Sequence, residues 1–285
     1  MTVLLFTTTD LNSSRGADFE RLLASVDAAA AAGVPVRHSV LLQNCGPAAL
    51  ARHREGAPAH RRFEAVEGAV SISGARNRQM KAASREAPAS GGDIVGFPDD
   101  DCWFPSGFLA RLEAVFAARP ALDLVVCRCA RAPDTASFGA GDTRPVSARA
   151  VVRLSSSNTM FLRGSLLGPV GGFDPALGLG TPSGGGEDTD YVIRAFLRSR
   201  EAGFIDRALV GHPEPDRAST AKYFRGAFIV LARHAGSRPA LTREFLRKVL
   251  VGLYFIGCGN LSPGTFGRAL GDGLRARRGP RTLPG

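Results

Sequence analysis

The stretch Ile94-Val95-Gly96-Phe97-Pro98-Asp99-Asp100-Asp101 limits what this chain can fold into more than any other. Ile94 to Phe97 is a short apolar run that reads as a buried strand, and Pro98 stops it. Three carboxylates follow at once. Like charges this close repel, so a folded chain keeps them only if they are solvated, partly protonated or neutralised by a cation. In open α/β sheets the carboxyl edge of the strands is also where ligands bind. Hard oxygen donors on a short turn suit Mg²⁺ or Mn²⁺ shared with a substrate's phosphates. A solvated loop, with one Asp capping a helix that starts near Pro105, accounts for a single acid. It does not account for three directly after a buried strand, which favours a metal–diphosphate site.

The flanking sequence alternates between strand and helix patterns. Val3–Thr8 reads as a first strand, Phe19–Ala32 as a helix, and Val36–Leu42 as a second strand ending at Gln43-Asn44-Cys45-Gly46. Val66–Ser73 reads as a short strand, or a strand-like approach to a helix over about Ala75–Arg85. After the Asp triplet come a helix at Ser106–Ala118 and a strand at Leu122–Cys129, on which Cys127 and Cys129 are expected to share one core-facing side. Residues 131–147 read as an irregular loop, and Val151–Leu154 and Asn158–Leu162 as strands of a second, mixed part of the sheet. This order predicts an α/β fold with a mostly parallel sheet flanked by helices. No GxGxxG or GxxxxGK[ST] loop is present, so neither a dinucleotide fingerprint nor a P-loop is supported.

Composition enters through where the charge lies. The 285 residues, 44% of them hydrophobic, suffice for one large domain or a domain with an appendage, and the net charge is +10. From Arg217 onward there are 13 of the 36 basic residues and only two of the 26 acids, Glu244 and Asp272, a local +11. The preceding residues, with 23 bases and 24 acids, sum to −1. Such asymmetry points to a polyanionic surface, either an anionic membrane or nucleic acid. The five cysteines form no disulfide or zinc pattern, and no leader segment is evident at the N-terminus, so a cytoplasmic setting is expected.

A second acidic group, Glu187, Asp188 and Asp190, opens an apolar helical pattern at Val192, Ile193, Phe196 and Leu197. Acids at a helix N-terminus are ordinary design. Their interest comes from the segment before them, Gly171–Gly186, with seven glycines and two prolines in 16 residues, which reads as an exposed, mobile loop. One carboxylate set can hold a metal and a diphosphate while another removes a proton from a hydroxyl.

With both acidic groups in place, the sequence resembles the family 2 glycosyltransferases and their nucleotide-sugar-binding GT-A fold. The matching pieces stand in the family's order over about residues 3–212: Thr8-Thr9-Asp10, Gly74-Ala75-Arg76-Asn77, Phe97-Pro98-Asp99-Asp100-Asp101, Gly171-Gly172-Phe173-Asp174 and Gly186-Glu187-Asp188-Thr189-Asp190, with His212 after the last strand. The resemblance implies that Asp101 binds the metal, with Asp99 nearer the ribose or the metal's waters, and that Asp188 is the general base with Glu187 a close second. Thr8, Asp10, Asn44, Arg76, Asp99 and Asp100 make up the implied nucleotide-binding set. His212 either completes the metal site or touches a phosphate, or is a histidine satisfied at the surface or in the core. Two departures are plain. The second strand ends in Gln43-Asn44 where the family carries acids, and Leu11–Gly16 departs from the family's pattern.

The implied activity is inverting, metal-dependent transfer of a sugar from a nucleotide-sugar to a hydroxyl of a glycan or lipid-linked acceptor, in cell-surface polysaccharide synthesis. A non-catalytic glycosyltransferase-like binding protein and a sugar-phosphate nucleotidyltransferase are the alternatives. The catalytic domain is expected over 1–216, with a nucleotide-sugar half to about 103 and an acceptor half beyond it. A basic helical extension would cover 217–285. Two tail segments, Lys222–Arg233 and Arg243–Ile256, mix basic residues with helical apolar patterns. The stripe of Phe245, Leu246, Val249, Leu250 and Leu253 beside Arg243, Arg247 and Lys248 either lies on the inner face of the cell membrane or packs on the catalytic domain. Nucleic acid is disfavoured, because no recognised module accompanies the charge.

Overall fold

The computed structural model describes residues 1–154, 156–213 and 223–278. In chain order these form β1 (Val3–Asp10), α1 (Gly16–Ala31), β2 (Val36–Gln43), α2 (Pro47–Arg54), β3 (Arg61–Ala65), α3 (Ile72–Glu86) and β4 (Ile94–Gly96). Then follow α4 (Phe108–Ala118), β5 (Leu122–Ala130), β6 (Arg144–Pro145), α5 (Ala148–Leu154), β7 (Met160–Arg163) and α6 (Leu167–Val170). The last elements are α7 (Glu187–Arg198), β8 (Glu201–Gly211), α8 (Phe224–His234), α9 (Pro239–Gly257) and α10 (Pro263–Arg278). The strands make one eight-stranded sheet in the order β3-β2-β1-β4-β7-β5-β8-β6. Strands β3, β2, β1 and β4 are parallel, β7 runs antiparallel between β4 and β5, and β8 is parallel to β5.

Both faces of the sheet are covered, which is why its central strands are near-continuous apolar runs. Side chains alternate across each strand. Leu4, Phe6, Val95, Phe97, Val126, Met160 and Leu162 face one core, packed by Val151 of α5 and Tyr191 and Val192 of α7. Val3, Leu5, Ile94, Val125, Cys127 and Phe161 face the other, packed by Leu22 and Val26 of α1 and by Leu109, Leu112 and Phe116 of α4. Gly96 is needed where β4 passes between these layers. A Cβ there would come within 3.1 Å of the Phe161 ring and 3.2 Å of Leu5.

Several expectations are corrected. Val151–Leu154 is not a strand but the end of α5, because Val151 fills the core from a helix face while Arg149 and Arg153 stay outside. The following strand begins at Met160, after a single 3₁₀ turn at Ser157–Thr159. The third strand is Arg61–Ala65, and Val66–Ser73 leads irregularly into α3, whose start Ser71 caps by accepting from the Gly74 N–H. Cys127 is buried but Cys129 is exposed, since the β5–β8 register shifts around Arg128 and the two side chains no longer share a face.

The glycine-rich segment is not an exposed loop. Phe173, Asp174, Leu177 and Ser183 are buried. Phe173 stacks on Tyr191 with centroids 4.1 Å apart, and Asn77 exchanges hydrogen bonds with the Phe173 backbone at 2.7 and 2.8 Å. Gly186 has φ +96° and its backbone lies against Gly226 of α8, so that a Cβ there would sit 2.7 Å from the Gly226 carbonyl carbon. The glycines serve close backbone packing here.

Residues 224–278 are largely helical, and part of this segment joins the main core: Ile229, Val230, Leu231 and Leu241 pack with the α7 face of the sheet. Phe224, Phe228, Leu261 and Ala269 form a small core among α8, α9 and α10. The expected boundary at 216–217, and Lys222, lie outside the described residues.

Candidate active site

Strand β4 ends under the first core and delivers the Asp triplet to the carboxyl edge of the sheet. Each acid then meets different partners. Asp99 Oδ1 accepts from Arg76 Nη2 at 2.8 Å, and its Oδ2 accepts from Ser157 Oγ and Asn158 Nδ2, both at 3.1 Å. The Asp99 N–H donates to Asn158 Oδ1 at 2.6 Å. Asp100 Oδ2 accepts from Thr9 Oγ1 at 2.7 Å and its Oδ1 from Arg15 Nη1 at 3.0 Å. Arg15 Nη1 also lies 3.1 Å from Asp101 Oδ2.

Asp101 Oδ1 is buried without a hydrogen-bond partner. His212 Nε2 stands 3.3 Å away, close enough for charge attraction but outside hydrogen-bonding alignment. The other ring nitrogen of His212 is 2.6 Å from the Pro213 carbonyl oxygen, and as a donor there it leaves Nε2 turned toward the acids. Ligand atoms of Asp99, Asp101 and His212 all lie within 4.8 Å of one another. Two carboxylates and one imidazole form a donor set that suits Mg²⁺ or Mn²⁺, and the unsatisfied Asp101 oxygen gives the set a reason to hold a cation.

The second acidic group arrives at the same place from α7. Arg76, 2% exposed, bridges the two acidic groups. Its Nη1 donates to Asp188 Oδ1 at 2.6 Å while Nη2 holds Asp99. Asp188 Oδ2 accepts from the Ser157 N–H at 3.0 Å. The buried guanidinium lies 5.0 Å from the centroid of the Phe173 ring. A buried cation between two acids is held by both, and its loss would leave them facing each other.

These surroundings set the protonation preferences. Burial pushes the Asp99 carboxyl up to about 6, with Arg76 opposing and Asp188, Asp101 and Asp100 adding to the rise. Burial and the neighbouring Asp188 push Glu187 up to about 8. Burial also works against the Asp101 charge, but His212 and Arg15 outweigh it and hold that carboxyl below its usual range. His212 is raised, its burial being outweighed by Asp101 and by the Pro213 carbonyl.

The remaining sequence candidates sit at the ends of β1 and β2. Thr8 Oγ1 accepts from Gln43 Nε2 at 3.1 Å, and Asn44, with φ 55°, donates through Nδ2 to Asp10 Oδ1 at 2.7 Å. Gln43 Oε1 in turn accepts from the Val70 N–H at 2.7 Å. Thus Asp99, Asp101, His212, Arg76 and Asp188 converge on one centre, while Thr8, Asp10 and Asn44 form a neighbouring polar ledge. Sequence reasoning missed Thr9, Arg15, Ser157 and Asn158. Arg15 lies in the segment Leu11–Gly16, whose departure from the family pattern was its one visible signal. The polar run Ser156-Ser157-Asn158-Thr159 before an apolar strand was the signal for the other pair.

No protein-family model and no curated protein matches the sequence. Solved structures do match the fold. The structure of S. aureus TarS 1–349 in complex with UDP-GlcNAc superposes with a TM-score of 0.65 at 15% identity, covering 97% of this chain and 81% of that one. A longer S. aureus TarS structure gives 0.66 at 17% identity, over 97% of this chain and 49% of that one. GalNAc-T7 with UDP, GalNAc and Mn²⁺ gives 0.56 at 11% identity, over 90% and 57%. The fold is that of GT-A proteins. Its eight-stranded, mostly parallel sheet flanked by helices bears out the architecture expected from the sequence.

Proposed function

We propose that this protein is an inverting, metal-dependent glycosyltransferase of the family 2 type, which moves a sugar from a nucleotide-sugar to a hydroxyl of a glycan or lipid-linked acceptor in cell-surface polysaccharide synthesis. The observation that carries the reading is the pairing of a metal-ligand set, Asp99, Asp101 with its unsatisfied oxygen, and His212, with a second carboxylate, Asp188, across one buried arginine. The fold it shares with proteins captured with UDP-GlcNAc, or with UDP, GalNAc and Mn²⁺, supports the same reading.

In this proposal Asp101, Asp99 and His212 hold Mg²⁺ or Mn²⁺, which when bound offsets the charge that grows on a departing diphosphate. The other roles belong to the chain. Thr8, Asp10 and Asn44 line the place for the nucleoside, Asp100 anchors the triplet through Thr9 and Arg15, and Arg76 holds Asp188 and Asp99 at a set separation. Asp188, with 21% of its side chain open to solvent, accepts the acceptor hydroxyl's proton. Glu187 is buried beside it, and burial together with the neighbouring Asp188 raises its proton affinity. A single displacement from the face opposite the leaving group inverts the anomeric centre and needs no enzyme nucleophile. Incubating the purified protein with a panel of nucleotide-sugars, with Mn²⁺ or with EDTA, tests the reading. Release of free nucleotide from one donor, abolished by EDTA, is the expected result; no release from any donor would overturn it.

The tail supports a contact with an anionic membrane surface. Leu246, Leu250, Leu253 and Tyr254 of α9 are each more than half exposed and follow helical spacing, with Arg243 and Arg247 among them. Phe245 and Val249 instead turn inward to pack with α8 and α10, so the exposed stripe is narrower than the sequence implied. Among the described residues no helix is long and apolar enough to cross a membrane. Binding should appear in co-sedimentation with anionic but not neutral vesicles, and fall as salt rises; equal binding to both would remove the membrane role. The division into a catalytic unit to residue 216 and a basic helical extension is part of the same proposal.

A further inference from the structure

A cavity of about 500 Å³ opens on the far half of the sheet among β5, β6, β8 and α5. Four arginines line it: Arg128, Arg144, Arg149 and Arg153. One acid, Asp206, answers them. It accepts from Arg128 at 2.5 Å and also pairs with Arg144. Phe204 forms an apolar floor under the same two guanidinium groups, at 5.7 and 5.4 Å from its ring centroid. Arg149 and Arg153 are exposed, and neither pairs with a carboxylate among the described residues.

Ordinary helix design explains only half of this pair. Arg153 lies in the last turn of α5, where the helix dipole favours a cation, but Arg149 lies in the first turn, where it does not, and the two stand at i, i+4, where like charges repel. Four cations around one cavity with a single acid leave an uncompensated charge that suits a multivalent anion, which arginine forks grip in bidentate fashion. The place matters as much as the charge. Arg153 is four residues before Ser157, whose N–H holds Asp188 and whose hydroxyl holds Asp99, so at most about 14 Å of chain separates them. On the other wall, Arg128 is two residues before Ala130, whose carbonyl takes the His212 N–H. Both walls of the cavity are thus continuous, within a few residues of chain, with groups that hold the candidate active site.

We infer that this cavity is an acceptor subsite for a glycan bearing repeated anionic groups, phosphate or carboxylate, an inference that rests on the proposed glycosyl transfer. The anionic groups seated among Arg128, Arg144, Arg149 and Arg153 would hold the chain while a hydroxyl further along it reaches Asp188.

The test compares the full chain with two charge-reversed variants. Arg149→Glu/Arg153→Glu alters the cavity, and Lys81→Glu/Arg85→Glu, on the exposed side of α3, makes the same net charge change elsewhere. Probes are inorganic polyphosphate, polygalacturonate oligosaccharides and neutral dextran of matched length, with thermal unfolding checking that each variant is folded. At least one anionic probe should bind, weakening with salt, while dextran does not. The cavity variant should lose about tenfold or more in affinity, and the α3 variant at most about twofold. Tighter binding of polyphosphate assigns phosphate, and tighter binding of polygalacturonate assigns carboxylate. Equal losses in both variants, dextran binding as well as the polyanions, or no anionic binding at all would each overturn the subsite. Nucleotide-sugar cleavage by the unaltered protein is read separately: its absence would overturn the proposed transfer while leaving a positive binding result in place.

Discussion

Two acids in the first turn of α7 lie three residues apart and have opposite surroundings. Asp190, 1% exposed, accepts from Arg194 at 2.8 Å, is 2.9 Å from His234 Nε2 and 3.3 Å from Arg233. Arg233 also holds Asp174 of the glycine-rich segment at 2.7 Å. In spite of burial, hydrogen bonding by His234 and the nearby cations pull the Asp190 carboxyl down to about 2. Glu187 is pushed up to about 8 by burial and Asp188. The Asp190 cluster is balanced and ties α7, α8 and the glycine-rich segment into one body. The cluster around Asp99, Asp101, Glu187 and Asp188 has more carboxylates than its cations answer, and one oxygen is left without a partner. An excess of like charge that the fold itself leaves unresolved marks a site for an incoming ligand; a balanced one marks architecture.

The sharpest way to break this contrast is to remove the balanced acid. Asp190→Ala strands Arg194, Arg233 and His234 and should cost about 3–5 kcal/mol in chemical or thermal unfolding, the scale for breaking a buried charge network. A variant as stable as the unaltered protein would mean the cluster is not structural.

Removing acids from the unbalanced cluster should do the reverse. Asp101→Ala takes one acid from a crowded group but also takes a partner from Arg15 and His212, so stability should change little, while Mn²⁺-dependent nucleotide binding is lost and turnover falls by about 10³-fold. Asp188→Asn should leave donor binding in place and slow transfer by about 10²-fold. Should Glu187→Gln slow transfer that much while Asp188→Asn is mild, the roles of the two acids are exchanged. Unfolding of Asp101→Ala by several kcal/mol would place it with Asp190 instead.

The smallest effect is a difference in pH dependence. Glu187 binds its proton more tightly folded than unfolded, so its contribution to stability is fully present below about pH 4.5 and is lost as pH rises through about 8. Glu187→Gln removes that loss, and should gain stability relative to the unaltered protein as pH rises from 5 to 8. Asp190 has the opposite sign: its contribution is present above the ordinary carboxylate range and lost only as pH falls through about 2. A stability difference between Glu187→Gln and the unaltered protein that stays flat from pH 5 to pH 8 would contradict the buried, uncharged Glu187.

Much of this organisation was legible in the chain. Strands β1, β2, β4 and β5 announce themselves because a strand covered on both faces carries an apolar run, and α1, α4 and α7 because one helical face must be apolar, whereas the buried face of α3 is Ser73, Ala75, Arg76 and Gln79. The Asp triplet was legible for a related reason, since a buried strand that ends at a proline has to put the next residues at the sheet's edge. The tertiary structure decided what is set by partners distant in sequence. Arg15 meets Asp100 across 85 residues, Arg76 meets Asp188 across 112, and His234 meets Asp190 across 44. Glu187 and Asp190 look alike at a helix N-terminus, and only the packing of α8 against α7 adds Arg233 and His234 to the Arg194 that already stands four residues after Asp190. The same packing turns a glycine-rich segment, which reads as a mobile loop, into a buried layer, because the glycines let the backbones around Gly186 and Gly226 touch. Periodicity is written residue by residue and survives in the sequence. Charge balance and backbone contact are sums over neighbours that exist only once the chain has folded.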